Sequence, residues 1–225
     1  MRHELKYLLT PVQYTLLQSR LKWVLEPDVH ASDTGEYFIR SIYFDSPDRC
    51  AWQEKISGVN RRKKYRIRFY NGDYTHCNLE CKDKTGTRIE KTAQALDPAQ
   101  VGAMLAGDGR SLPEEGLLGE MKRLLSDRGF APAVVVDYVR EPYVLPLSDL
   151  RITFDKEIAW GDVQESLTKE RSLSVIYGEQ IVLEVKYNEY LPEHIADILA
   201  SVHPVQTAAS KYTGCLEAKY NVLGY

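Results

Sequence analysis

A chain of 225 residues, 44% hydrophobic and 27% charged, is long enough to bury one substantial core. Its net charge of only −3 excludes a protein that holds polyanions by overall charge, so any basic site must be a local concentration. No run of 18 apolar residues is present, which excludes a transmembrane helix.

In chain order, residues 2–9 read as a strand. Thr10-Pro11-Val12-Gln13 then opens a helix, with Thr10 as N-cap, Pro11 at the first helical position and Gln13 completing a capping box. Tyr14, Leu17, Leu21 and Val24 recur at helical spacing as a core-facing stripe. Residues 26–35 read as a polar loop and 36–45 as a strand, after which Ser46-Pro47 opens a short helix to about residue 57. Strands follow near 61–70, 74–83 and 87–95, separated by the turn sequences Asn71-Gly72-Asp73 and Lys84-Thr85-Gly86. Asp97-Pro98-Ala99-Gln100 caps a further helix, and residues 113–128 form another with Leu117, Met121, Leu124 and Leu125 inward. Residues 132–145 and 150–157 read as strands, 158–178 as a loop and 181–187 as the last strand. Helices near 192–202 and 207–219 close the chain.

The strands share one peculiarity. Side chains alternate between the two faces of a strand. In Tyr65-Arg66-Ile67-Arg68-Phe69-Tyr70 the arginines share one face, and Ile67 and Phe69 the other. Glu80 and Lys82 likewise oppose Leu79 and Cys81. The pattern returns at Arg2, Glu4 and Lys6, at Arg151, Thr153 and Asp155, and at Glu184 and Lys186. Eight strands, mostly hairpin-linked, with helices around them, define an α+β class, and eight are enough to close into a barrel. An eight-stranded antiparallel barrel of this composition would turn its apolar face outward under helices and its charged face inward. Burying so many cations uncompensated is prohibitive, so such a lumen must hold water, anions or both. A flat sheet with one solvated charged face would show the same alternation. With no linker and no internal repeat, residues 1–225 read as a single domain.

Cys50, Cys77, Cys81 and Cys215 form no CxxC pair, and His3, His30, His76, His194 and His203 show no metal-ligand spacing. The cysteine usage, and an opening that runs straight into a charged strand, fit a reduced, cytoplasmic setting. Lys55, Arg61, Arg62, Lys63 and Lys64 form a basic run before the key strand. It reads either as a solvated rim or as electrostatic guidance for a polyanion. The aromatics at 65–70 are ordinary strand residues, and no nucleic-acid-binding motif accompanies them.

Taken together, Arg2-x-Glu4-x-Lys6-Tyr7, Tyr65 to Tyr70, Leu79-Glu80-x-Lys82, Tyr138-x-Arg140, Leu150-Arg151-Ile152-Thr153-Phe154-Asp155, Leu183-Glu184-Val185-Lys186 and Ser210-Lys211-Tyr212 resemble a VTC domain. That is the polyphosphate polymerase domain of vacuolar transporter chaperone complexes, within the CYTH-like triphosphate tunnel metalloenzymes. The resemblance covers nearly the whole chain and implies an eight-stranded tunnel with a charged lumen. It implies that Lys6, Arg66, Arg68, Lys82, Lys91, Arg140, Arg151 and Lys211 hold phosphates, and that Glu184 is a divalent-metal carboxylate. Lys186 is expected beside it as a further cation, paired with Glu4 or Glu80 when no anion is bound; Glu4 and Glu80 stand next in line as metal ligands. Lys91 lies on the opposite strand parity from Arg88 and Glu90, and the resemblance favours Lys91 as the inward residue.

The reaction so implied moves the γ-phosphate of ATP onto a growing inorganic polyphosphate chain with Mn²⁺ or Mg²⁺. A tunnel triphosphatase and a non-catalytic polyphosphate-binding module are the alternatives. The expected partners are ATP or another triphosphate and inorganic polyphosphate, with no nucleic acid; a separate membrane protein partner is compatible with the family.

Overall fold

The computed structural model describes residues 3–168 and 170–223. The chain runs through β1 (His3–Leu9), α1 (Pro11–Leu21), β2 (Glu26–Pro27), β3 (Tyr37–Asp45), α2 (Cys50–Ile56), β4 (Arg61–Tyr70), β5 (Asp73–Thr85) and β6 (Arg88–Leu96). It continues through α3 (Pro98–Leu105), α4 (Gly116–Arg128), β7 (Ala131–Val144), β8 (Arg151–Gly161), β9 (Ser174–Val175), β10 (Ile181–Tyr187), α5 (Glu193–Ala200), β11 (Val205–Gln206) and α6 (Lys211–Leu223).

Local chemistry sets several of these boundaries. Thr10 and Gln13 exchange side-chain and backbone hydrogen bonds at the start of α1, and Asp97 and Gln100 do the same for α3. Each box satisfies two amide donors that a helix start otherwise leaves bare. α2 begins at Cys50, four residues later than Ser46-Pro47 suggests, because Asp45 reaches forward to accept the amides of Ala51 (2.9 Å) and Trp52 (3.2 Å). α4 stops at Gly129, whose φ of 62° lies in the left-handed region that glycine enters without strain.

The sheet is where the observed fold departs from expectation. The eight long strands are present, and three two-residue strands bring the total to eleven among the described residues. Their hydrogen-bonded order is β11-β1-β10-β8-β7-β3-β4-β5-β6, with β2 added on β7 and β9 on β8. Among the described residues this is an open path, not a closed eight-stranded barrel: β11 and β6 end it, and the two are not paired with each other. The short strands β2, β9 and β11 fall in polar or unpatterned stretches with no alternation to announce them.

Residues 158–178 are likewise more ordered than a loop. β8 continues to Gly161, a 3₁₀ turn follows at Val163–Glu165, and β9 returns to pair with β8. A buried ion pair anchors this segment. Arg40 bonds Asp137 at 2.8 and 2.7 Å and donates to the carbonyls of Thr168 (2.8 Å) and Glu170 (2.6 Å). Asp137 in turn accepts the amide of Ser172 at 2.8 Å. The last helix, expected at 207–219, runs from Lys211 to Leu223.

Two compact units are distinguishable. The first gathers the chain up to Phe38, Tyr138–Ile158 and Val175–Lys211; the second gathers Ile39–Asp137, Ala159–Ser174 and the chain from Tyr212. β3, β7 and β8 each run through both. The first has its own core, including Leu9, Leu17, Leu21, Ile152, Phe154, Leu183, Val185, Ile195 and Leu199. The second packs Ile42, Phe44, Ile67, Phe69, Leu79, Met104, Leu118 and Met121. Each buried side chain of this size contributes roughly 1.5–3 kcal/mol. The strand residues on these lists are the apolar half of the alternation, so core burial commits the charged half to the opposite sheet face. A one-residue register slip would exchange the two faces and is thereby excluded.

Candidate functional site

In the second unit, β4, β5 and β6 present one strongly basic face. The register pairs Arg62 with Lys84, Lys64 with Lys82, Arg66 with Glu80 and Arg68 with Asn78. Across the next edge Lys82 pairs with Lys91 and Glu80 with Ala93. Lys64, Lys82 and Lys91 therefore form a row of three lysines directly opposite one another on adjacent strands. Like charges in that relation destabilise a sheet. Lys91 belongs to this face, while Arg88 and Glu90 pair with each other at the exposed surface.

Glu80 is the carboxylate within that face. It is 5% exposed, with Arg66 at 2.6 Å and Lys91 at 2.6 Å, and Arg68 at 3.9 Å. Burial by itself would raise its pKa; Arg66, Arg68 and Lys91 outweigh that and pull it down to about 2. Arg66 also donates to the Tyr43 hydroxyl (2.7 Å) and Arg68 to Ser41 (3.1 Å). These contacts hold both guanidinium groups in fixed positions.

The first unit carries a second cluster, centred on Glu184 of β10 and Asp155 of β8. Glu184 Oε1 meets Lys6 (3.2 Å) and Lys211 (3.0 Å); Oε2 meets Lys186 (2.7 Å) and Arg140 (3.7 Å). Asp155, fully buried, is gripped by Arg140 at 2.6 and 2.7 Å and by Lys211 at 2.5 Å. Burial pushes both carboxyls up, but the surrounding cations hold Glu184 well below the usual range and Asp155 below it too. Lys211 is raised, because Asp155 and Glu184 overcome its burial. Lys186 is lowered: burial, with Arg140 beside it, outweighs Glu184 and Glu4. Arg140 and Lys211 also lie 5.4 and 5.1 Å from the Tyr138 ring centroid, within cation–π range.

Each residue singled out in the sequence can now be placed. Lys6, Arg140, Lys186, Lys211 and Glu184 come together in the first unit, and Glu4 joins through Lys6 at 3.2 Å. Lys186 bonds Glu184 rather than Glu80, and Glu4 is its cross-strand neighbour. Arg151 also lies across from Lys186, yet its guanidinium is held by Asp28 (3.0 Å) and the Tyr37 hydroxyl (3.1 Å). Arg66, Arg68, Lys82, Lys91 and Glu80 share the face in the second unit. Arg2 lies outside the described residues. Asp28 sits in a polar stretch that gave no signal; Asp155 was visible in the Arg151-x-Thr153-x-Asp155 alternation, though not as the partner of Arg140. Burial pushes the Cys81 thiol up to about 11, so it offers no reactive thiolate at neutral pH.

The carboxylates have the hard oxygens that Mn²⁺ or Mg²⁺ prefers, but their arrangement does not fit such an ion. Both oxygens of Glu184 face ammonium groups, Glu80 is saturated by Arg66 and Lys91, and no cluster of three His, Cys, Asp or Glu suited to a metal occurs among the described residues. In both clusters the cations outnumber the carboxylates they surround.

Solved structures share this fold. A triphosphatase-active Hippeastrum protein first assigned as an adenylyl cyclase matches with a TM-score of 0.59 at 18% identity, covering 96% of each chain. A candidate adenylate cyclase from Bacillus halodurans matches at 0.57 and 16% identity, covering 92% of each. A Pyrococcus horikoshii protein matches at 0.51 and 16% identity, covering 96% of this chain and 99% of its own. The chain itself belongs to the VTC domain family, whose model matches residues 1–220. No curated protein matches it. Among the described residues, no helix is long and apolar enough to cross a membrane.

Proposed function

We propose that this chain binds the triphosphate of ATP and inorganic polyphosphate, and transfers the γ-phosphate of ATP to the growing chain, releasing ADP. The observation that carries the reading is the lysine row Lys64, Lys82 and Lys91, flanked by Arg66 and Arg68. The row concentrates positive charge along one sheet face, where Glu80 is the carboxylate held by Arg66 and Lys91. A phosphate chain presents oxygens along its whole length, and Arg forks and Lys point charges pair strongly with them. Membership of the VTC family supports the same substrate class.

Phosphoryl transfer asks little covalent chemistry of a protein. It asks for alignment of the attacking oxygen and cancellation of charge on the transferring group. Arg66 and Arg68 are fixed by Glu80, Tyr43 and Ser41, so they can meet that charge with little rearrangement. Lys6, Lys186 and Lys211 are held by Glu184 and Asp155, and a phosphate oxygen competes with these carboxylates for the same ammonium protons. Attack by water in place of a terminal phosphate oxygen would make the protein a triphosphatase. The dominant triphosphatase activity of the similarly folded Hippeastrum protein keeps that as the second reading.

Incubating the purified protein with ATP and Mn²⁺, then separating long-chain polyphosphate from orthophosphate, tests the choice. Polyphosphate with ADP supports the polymerase. Orthophosphate without chain supports the triphosphatase, and neither product together with tight polyphosphate binding leaves a binding module.

A further inference from the structure

On β8, Thr153 stands between Arg151 and Asp155 on the charged face, and in register directly across from Glu184, which itself lies across from Lys6. Thr153 is 1% exposed, yet its Oγ1 has no hydrogen-bond partner. Two residues away on the same face, the Nε of Arg151 is also buried and unpartnered. Buried donors are almost always paired, because leaving one bare forfeits its hydration without replacement. Two on one strand face, spaced by one pleat repeat, therefore call for a shared explanation.

The neighbouring acceptors do not supply it. Glu184 is turned toward Lys6, Lys186 and Lys211, and Asp155 toward Arg140 and Lys211. The face thus holds two N–H and O–H donors without acceptors, in a neighbourhood whose cations attract acceptor-only groups. A phosphate chain is such a group: its non-bridging oxygens accept and donate nothing. Two residues along a strand span roughly 6.6 Å, a distance that oxygens on successive phosphates of a chain can bridge.

We infer that Thr153 is a phosphate-binding residue, its Oγ1–H and the Arg151 Nε–H donating to non-bridging oxygens of a bound inorganic phosphate chain. The inference rests on the phosphate-binding reading above and adds to it a neutral donor among the cations. Thr153 fixes where an oxygen sits, which charge alone leaves loose.

The test measures tripolyphosphate affinity by calorimetry, and anion-free melting temperature, for the wild type, Thr153→Val and Thr153→Ser. Valine keeps the shape and removes the hydroxyl; serine keeps the hydroxyl. The expected result is roughly tenfold weaker binding for T153V, binding within about threefold of wild type for T153S, and a T153V melting temperature equal to or above wild type, because a bare buried hydroxyl has been removed. T153V binding as tightly as wild type would overturn the assignment while leaving the phosphate reading intact. A T153V protein that melts several degrees lower without anion, or fails to fold, would also overturn it, since the hydroxyl would then serve an internal bond. A wild type that does not bind tripolyphosphate would overturn the phosphate reading and this assignment with it.

Discussion

Lys211, the first residue of α6, pairs at 2.5 Å with Asp155, a fully buried carboxylate of β8, and the same ammonium reaches Glu184 at 3.0 Å. One lysine thus bridges two carboxylates, with Arg140 also on Asp155 and Lys6 and Lys186 also on Glu184. Lys186 lies close to the same Glu184 but in the opposite energetic position, since burial and Arg140 disfavour its charge. Removing one partner of a buried pair costs about 3 kcal/mol or more. Lys211→Met is accordingly expected to lower the melting temperature by roughly 6–12 °C, and Lys186→Met to leave it unchanged or raised. Thermal melts of the two variants without anion check this. Equal losses in both would contradict the division of roles.

Stability in acid follows from the depressed carboxyls. Glu80 sits at about 2 in the folded protein, against about 4.3 unfolded. A carboxyl lowered on folding stabilises above its unfolded pKa, and that contribution is lost as pH falls through the folded value. Wild type is expected to lose on the order of 2 kcal/mol through Glu80 between about pH 4.5 and 2, with Glu184 and Asp155 adding losses of the same sign. Urea melts at pH 6 and pH 3 should show a smaller pH dependence for Glu80→Gln than for wild type.

Arg66 and Arg68 are read as the phosphate grip of the second unit. Replacing both with alanine removes two charge-assisted contacts, each worth about 1.5–3 kcal/mol. Tripolyphosphate affinity should fall roughly a hundredfold or more, with a smaller effect on melting because Lys91 still neutralises Glu80. Unchanged affinity alongside a large drop in melting temperature would make the pair structural.

How much of this was legible before the structure depends on period. Arg66 and Arg68 could be read at once, since Ile67 and Phe69 between them fix the face. Lys91 could not, because Arg88 and Glu90 offered a competing parity. The hairpin settles it: Arg88 pairs with Thr85 next to Gly86, whose φ is 60°, and counting outward sets Lys91 against Lys82. The partnership of Glu184 with Lys211 was out of reach for another reason, being a meeting of a strand with a helix start 27 residues on. The three two-residue strands, and with them the open order of the sheet, carry too few residues for alternation to register.

The ion-paired state of Glu184 bears on metal. With its oxygens facing Lys6, Lys211 and Lys186, the anion-free protein should not bind Mn²⁺ tighter than the millimolar range. Electron paramagnetic resonance of Mn²⁺ titrated with protein alone should show the free-ion signal undiminished. Loss of that signal at micromolar protein would mean that the carboxylates exchange their lysines for the ion.

The central claim, that these cation-rich faces bind a phosphate chain, is met most directly by calorimetric titration of the wild-type protein with tripolyphosphate and with orthophosphate at low and high salt. The account predicts that tripolyphosphate binds at least a hundredfold more tightly than orthophosphate, since a chain engages several cations together, and that the affinity falls as salt screens them. Equal affinities for the two anions, or no detectable heat with tripolyphosphate at low salt, would contradict it.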